Sequence, residues 1–199
     1  MRRSQTHLLL ACFSILFLPV SAPASSPILE TCAECHGVDG MGQGLAMVPL
    51  IAGIPAEHIE DAILSYVDGV RRCTHEPRMC ETVASLSESE VAEVAEYYAG
   101  KTRGASAEET DGELAAQGER VYNEHCSACH VSPDSEEAAY AVGIPLHGQR
   151  ADYLRYAIDA YISGDREVQF EAMGQELGEL RPGDIDALVN FFSSYRPAD

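Results

Sequence analysis

A chain of 199 residues leaves room for two small domains or one medium one. Its 13 Lys and Arg face 32 Asp and Glu, a formal charge of −19, which counts against nucleic acid and anionic membrane surfaces as partners. The same imbalance favours a docking partner that presents a basic patch.

The first stretch, "MRRSQTHLLLACFSILFLPVSAPASS", places Arg2 and Arg3 ahead of an apolar run from Leu8 to Val20. Ala22-Pro23-Ala24 then offers a small-x-small cleavage site, so residues 1–24 read as a secretory signal and the product as a periplasmic protein. The apolar run is short for a bilayer span. Leu9-Leu10-Ala11-Cys12 resembles a lipoprotein box but opens the apolar run, where such a box should close it. No later segment is apolar for long enough to cross a membrane. Without Arg2 and Arg3, 11 basic residues remain against the 32 acidic ones, a charge of −21. Without Cys12, six of the seven cysteines remain, an even number.

The next feature is "CAECH", residues 32–36, and it returns as "CSACH" at 126–130. Cys-x-x-Cys-His is the attachment sequence for c-type haem. Two cysteines three apart on a helical turn both reach the vinyl edge of a porphyrin, and the next imidazole then lies under the iron. A zinc site wants two further ligands at finger-like spacing. A thioredoxin-like site wants one Cys-x-x-Cys beside a strand, and no alternating strand pattern of useful length occurs here. Two covalently bound haem c groups are therefore expected, held by Cys32, Cys35 and His36 and by Cys126, Cys129 and His130.

Beyond the first motif, Ile59, Ala62, Ile63 and Tyr66 form one apolar helical stripe, and Val91, Val94, Ala95 and Tyr98 form another. Ser87 with Glu90 supplies a capping box for the second. Between them "CTHEPRMC" runs from Cys73 to Cys80 around Met79. Cys73 and Cys80 are the thiols left after haem attachment, and a disulfide joining them would stiffen the loop. The competing reading makes one of them a thiolate ligand or a reactive thiol.

Residues 100–113, "GKTRGASAEETDGE", are small and polar and mark a boundary. The expected organisation is a first domain at 25–102, a linker at 103–112 and a second domain at 113–199. The second half repeats the first. A shift of 95 carries Ile59, Ala62, Ile63 and Tyr66 onto Leu154, Ala157, Ile158 and Tyr161, and Gly53 and Gly69 onto Gly148 and Gly164. A shift of 94 carries Val91, Val94, Ala95 and Tyr98 onto Ile185, Leu188, Val189 and Phe192, with Pro182 suited to the first turn of that helix. His36 to Met79 and His130 to Met173 are both 43 residues, and Met173 is the only methionine of the second half. Met79 and Met173 are thus the expected second axial ligands. Met41, Met47, His75 and His147 are the rivals, the two histidines reading as surface or propionate-side residues. Neither His58 nor His125 reads as a ligand. His/Met ligation raises the iron potential and closes both axial positions, which points to electron transfer rather than catalysis at the haem.

With "CAECHGVDGMGQG", "PLIAG", "LSESEVAEVAEYYAG" and "PLHGQRADYLRYAIDAYISGD" in place, the chain resembles the tandem two-haem members of the class I cytochrome c superfamily. Within it the similarity is to cytochrome c4 and to the haem subunit of flavocytochrome c sulfide dehydrogenase. The resemblance implies an all-α fold of two domains, each a few short helices around one covalently bound haem. It implies thioether bonds at Cys32, Cys35, Cys126 and Cys129 and axial ligands His36, Met79, His130 and Met173. The function it implies first is a periplasmic electron carrier. The alternative is the electron-accepting subunit of a complex whose flavoprotein partner does the sulfur chemistry, and a lesser one is a self-contained thiosulfate oxidase or peroxidase. Val131 and the acidic "SPDSEEAAY" in place of the usual glycine after the second motif lean toward the subunit.

Overall fold

The computed structural model describes residues 26–45, 47–74 and 77–197; the expected signal at 1–24, with Cys12, and His75 lie outside the described residues. Helix α1 (Pro27–His36) opens on a proline, whose missing N–H costs nothing in a first turn. It is followed by α2 (Ala56–Val67), α3 (Pro77–Val83) and α4 (Glu88–Ala99). After a connecting segment come α5 (Gly112–His125), α6 (Ala151–Ser163), α7 (Glu171–Gly178) and α8 (Asp184–Ser194). The described residues form no strand, and one isolated antiparallel bridge joins Arg71 to Arg166.

The helices pack as two equivalent sets. In the first, α4 takes α1 and α2 against it and α3 lies on α2; in the second, α8 takes α5 and α6 and α7 lies on α6. Each set has its own core. Leu29, Ile59, Ile63, Val83, Val94 and Tyr98 centre the first, and Val121, Tyr122, Leu154, Leu188, Val189 and Phe192 the second. The duplication extends to single hydrogen bonds. Gly53 N–H donates to Tyr98 O and Gly148 N–H to Phe192 O, while Arg71 N–H donates to Ser65 O and Arg166 N–H to Ala160 O. Gly53, Gly69, Gly148 and Gly164 all have positive φ, between 65° and 82°, a conformation that a side chain disfavours.

Local chemistry sets the helix ends. Ser87 caps α4 in the expected box: Ser87 N–H donates to Glu90 Oε2 at 2.8 Å, and Glu90 N–H donates to Ser87 Oγ at 3.4 Å. Asp111 caps α5 by accepting from Glu113 and Leu114 N–H. Helix α8 departs from the sequence expectation. Arg181 N–H donates to the Asp184 carboxylate at 2.7 Å, which closes a turn, and Gly183 at φ 93° forms the N-cap, so Pro182 precedes the helix.

The tightest crossing is α5 on α8. A Cβ at Gly118 would stand 2.0 Å from Ala187 O, so only glycine lets the two backbones meet. The connecting segment is also more than a tether. Arg103 and Ser106 are buried in it, and Ser106 Oγ donates to Ser193 O at 2.9 Å.

Candidate haem-binding sites

The two Cys-x-x-Cys-His motifs are presented differently. In the first, Cys32, Cys35 and His36 all lie within α1, so a helical turn sets the cysteine spacing. In the second, α5 stops at His125 and Cys126 is its C-cap; Cys129 N–H and His130 N–H both return to Cys126 O, keeping a turn at the same spacing. Burial pushes the thiols of Cys32 and Cys126 up to about 11, with further contributions from Cys35 for the first and from Glu176 and Cys129 for the second. As free thiols they would be protonated and poor nucleophiles at neutral pH, unlike a thioredoxin-type site. Among the described residues no cluster of three or more His, Cys, Asp or Glu gathers as a metal site.

Each histidine is braced from behind. His36 Nδ1 lies 3.1 Å from Pro49 O and His130 Nδ1 lies 2.8 Å from Ile144 O. A carbonyl oxygen only accepts, so Nδ1 carries the hydrogen in both rings and Nε2 keeps its lone pair. Burial lowers both imidazole pKa values, against the opposing pull of the carbonyl bond, and so favours the neutral ring that an iron takes as ligand. Gly143 allows the second brace: a Cβ there would stand 2.6 Å from His130 Nδ1.

His130 and Met173 line one cavity of about 390 Å³ together with Cys129. Its walls include Val142, Ile144, Leu146, Leu154 and Ile158, and α2 of the first domain adds His58, Asp61, Ala62 and Ser65. Arg71 and Arg166 also border it. Arg71 sits 5.6 Å over the Tyr66 ring and Arg166 5.1 Å over the Tyr161 ring. An apolar cavity with two guanidiniums on its border suits a large apolar ring that carries carboxylates, so these residues fit a haem. In the first domain, Met79 and Cys32 pack against the same core of Leu29, Ile59, Ile63 and Val83. Cys73 and Cys80 are bonded, with S–S at 2.00 Å, the second of them next to Met79.

The other candidates fall elsewhere. Met41 Sδ accepts from Gly104 N–H at 3.4 Å, and Met47 is exposed. His147 is 5% exposed, its ring set edge-on against Tyr122, Phe191 and Phe192, so it is no surface histidine. His125 pairs with Glu176 at 2.8 Å. Sequence reasoning missed the bracing carbonyls of Pro49 and Ile144 and the part of α2 in the second cavity. No shared local signal marks the braces: Pro49 opens "PLIAG", whereas Ile144 lies one residue before "PLHGQ".

The comparisons with known proteins agree with this geometry. Residues 27–99 match the family described as Cytochrome c, and residues 113–192 match that described as Cytochrome C oxidase, cbb3-type, subunit III. A "Thiosulfate dehydrogenase electron acceptor" of Stutzerimonas stutzeri (strain A1501) is 30% identical over 183 residues, 85% of this chain and 81% of that protein. Cytochrome c4 of Thiocapsa roseopersicina is 30% identical over 140 residues, 65% and 68% of the two chains. In fold, the crystal structure of reduced recombinant cytochrome c4 from Pseudomonas stutzeri matches with a TM-score of 0.67 at 22% identity, over 83% of this chain and 93% of that one. Bound haem supplies an iron that takes up and gives back one electron; the chain supplies its attachment, ligands and surroundings. With two haem-binding domains in one helical fold and relatives matched along most of their length, the chain belongs to the cytochrome c family, as an electron-transferring, cytochrome c4-like protein with two covalently bound haem c groups.

Proposed function

We propose that this protein is a periplasmic carrier that accepts single electrons from a dehydrogenase acting on a reduced sulfur compound and passes them to a further redox partner. Cys32, Cys35, Cys126 and Cys129 form the thioethers, with His36 and Met79 on one iron and His130 and Met173 on the other. The observation that carries the reading is the shared cavity of His130, Met173 and Cys129, in a chain that repeats the 43-residue spacing from histidine to methionine. Closed axial positions suit outer-sphere electron transfer and leave no place for a substrate on iron. The sulfur donor is drawn from the name of the Stutzerimonas stutzeri relative, which accepts electrons from thiosulfate dehydrogenase.

Met173→Ala tests the ligand set. It should let carbon monoxide bind one reduced iron while the other stays closed; two closed irons would remove Met173 from the set. Native mass at low and high salt, with flavin absorbance recorded alongside, tests the carrier role. A lone flavin-free chain reduced by a thiosulfate-oxidising dehydrogenase supports it. Flavin in the native peak at both salt concentrations would make the protein a flavocytochrome subunit instead.

A further inference from the structure

One set of buried hydrogen bonds runs between the domains and ends, on each side, at the loop that braces a histidine. On the first side Pro49 O accepts from His36, and the next residue, Leu50, is clamped by Gln149 of the second domain. Leu50 N–H donates to Gln149 Oε1 at 2.8 Å, and Gln149 Nε2 donates to Leu50 O at 2.9 Å. Arg103, from the connecting segment, donates through Nη1 to Leu50 O at 3.3 Å and to Ala52 O at 3.1 Å. Its Nε donates across the seam to His147 O at 2.8 Å, three residues beyond the carbonyl of Ile144 that braces His130.

Arg103 is 6% exposed and Gln149 4%. All three bonds that the guanidinium makes go to carbonyl oxygens, which solvate its charge without cancelling it. Its Nη2 has no hydrogen-bond partner among the described residues, and no ion pair there joins it to a carboxylate. Burial lowers the Arg103 pKa to about 10, so it remains a cation at neutral pH. A fixed buried cation stabilises an iron that has gained an electron over one that has not.

We propose that Arg103 is a shared positioning residue of both redox centres: it ties the two histidine-bracing loops together and its charge raises the reduction potential of both haems. This rests on the reading of His36 and His130 as axial ligands. By Coulomb's law at an effective dielectric of about 20, a unit charge acting over roughly 10–15 Å shifts a redox equilibrium about tenfold, which sets the size of effect expected. The two bracing loops meet the same guanidinium, so the two haems shift together.

The test is a spectroelectrochemical titration of the holoprotein, resolving both haems, for wild type, Arg103→Lys, Arg103→Gln and Gln149→Glu. Arg103→Gln is expected to lower the reduction equilibrium constant of both haems about tenfold, and Arg103→Lys, which keeps the cation, to keep both within about threefold. If Arg103→Gln fails to load haem, Gln149→Glu reads the same effect, because its carboxylate would lie beside the guanidinium and offset the charge in place. A shift confined to one haem, or no shift in either neutralising variant, overturns the proposal. The weak sulfur-to-iron absorption band separates the two readings. Its absence from wild type counts against the methionine ligands, whereas an intact band with unmoved potentials counts against Arg103 alone.

Discussion

His36 closes a helix and His130 sits in the turn after one, yet a distant carbonyl meets Nδ1 of each, and neither brace was legible in the sequence. The accepting carbonyls lie 13 and 14 residues beyond the histidines, and the path of the intervening loop decides whether they return to the ring. His147 shows the same limit. A single histidine in a loop has no periodicity to place it, and the structure buries it among aromatic rings. That burial has a consequence for pH. Burial first, and then the Arg103 cation, lowers the His147 pKa from 6.5 to about 4. As pH falls the unfolded chain takes up this proton before the folded one does. The stability contribution is therefore complete above about 6.5 and is lost progressively toward pH 4. The loss should be about 2 kcal/mol after allowing for solvent at the ring edge. Urea unfolding at pH 7 and pH 4.5 should show a smaller acid-induced drop for His147→Phe than for wild type; equal drops would show that His147 does not drive it.

The helices were largely legible, because buried stripes and caps are local patterns. Val91, Val94, Ala95 and Tyr98 are all buried on α4, and the Ser87 box is made. The start of α8 was not, because the Arg181–Asp184 turn competes with the helix for Pro182. Gly118 was also silent, since its role depends on α8 crossing at that point. Gly118→Ala is expected to cost about 1–3 kcal/mol by overpacking and to lower the melting temperature of the second domain. An unchanged melt would mean that the α5–α8 crossing can relax. The bond between Cys73 and Cys80 belongs to α3 and the loop before it, and the second domain has no counterpart. The Cys73→Ser/Cys80→Ser variant should weaken the sulfur-to-iron band of the first haem more than that of the second. Two free thiols titrating in the denatured, unreduced protein would refute the pairing itself.

For the whole molecule, a formal charge of −19 over 199 residues makes its encounters electrostatic at long range. Reduction by a basic donor should slow as salt rises, since the steering field is screened over about 8 Å at physiological ionic strength. Stopped-flow rates across a salt series test this, and a flat series would point to apolar docking. The duplicated halves meet at an antiparallel bridge between equivalent residues, Arg71 and Arg166, and through the clamp of Arg103 and Gln149. The segment at 100–113 read as a domain boundary, with a linker at 103–112, because its residues are small and polar, yet Arg103 and Ser106 are buried in the seam.

The sequence by itself determined the haem motifs, the duplication, the helical stripes and the acidic charge, because each is carried by residue type and short-range spacing. Only the tertiary structure decided which carbonyls brace the histidines and which glycine admits a helix crossing. It likewise revealed that α2 of the first domain walls the cavity of the second and that one buried arginine joins the two bracing loops. These depend on contacts between residues far apart in the chain, such as Leu50 and Gln149, whose pairing leaves no local pattern to read.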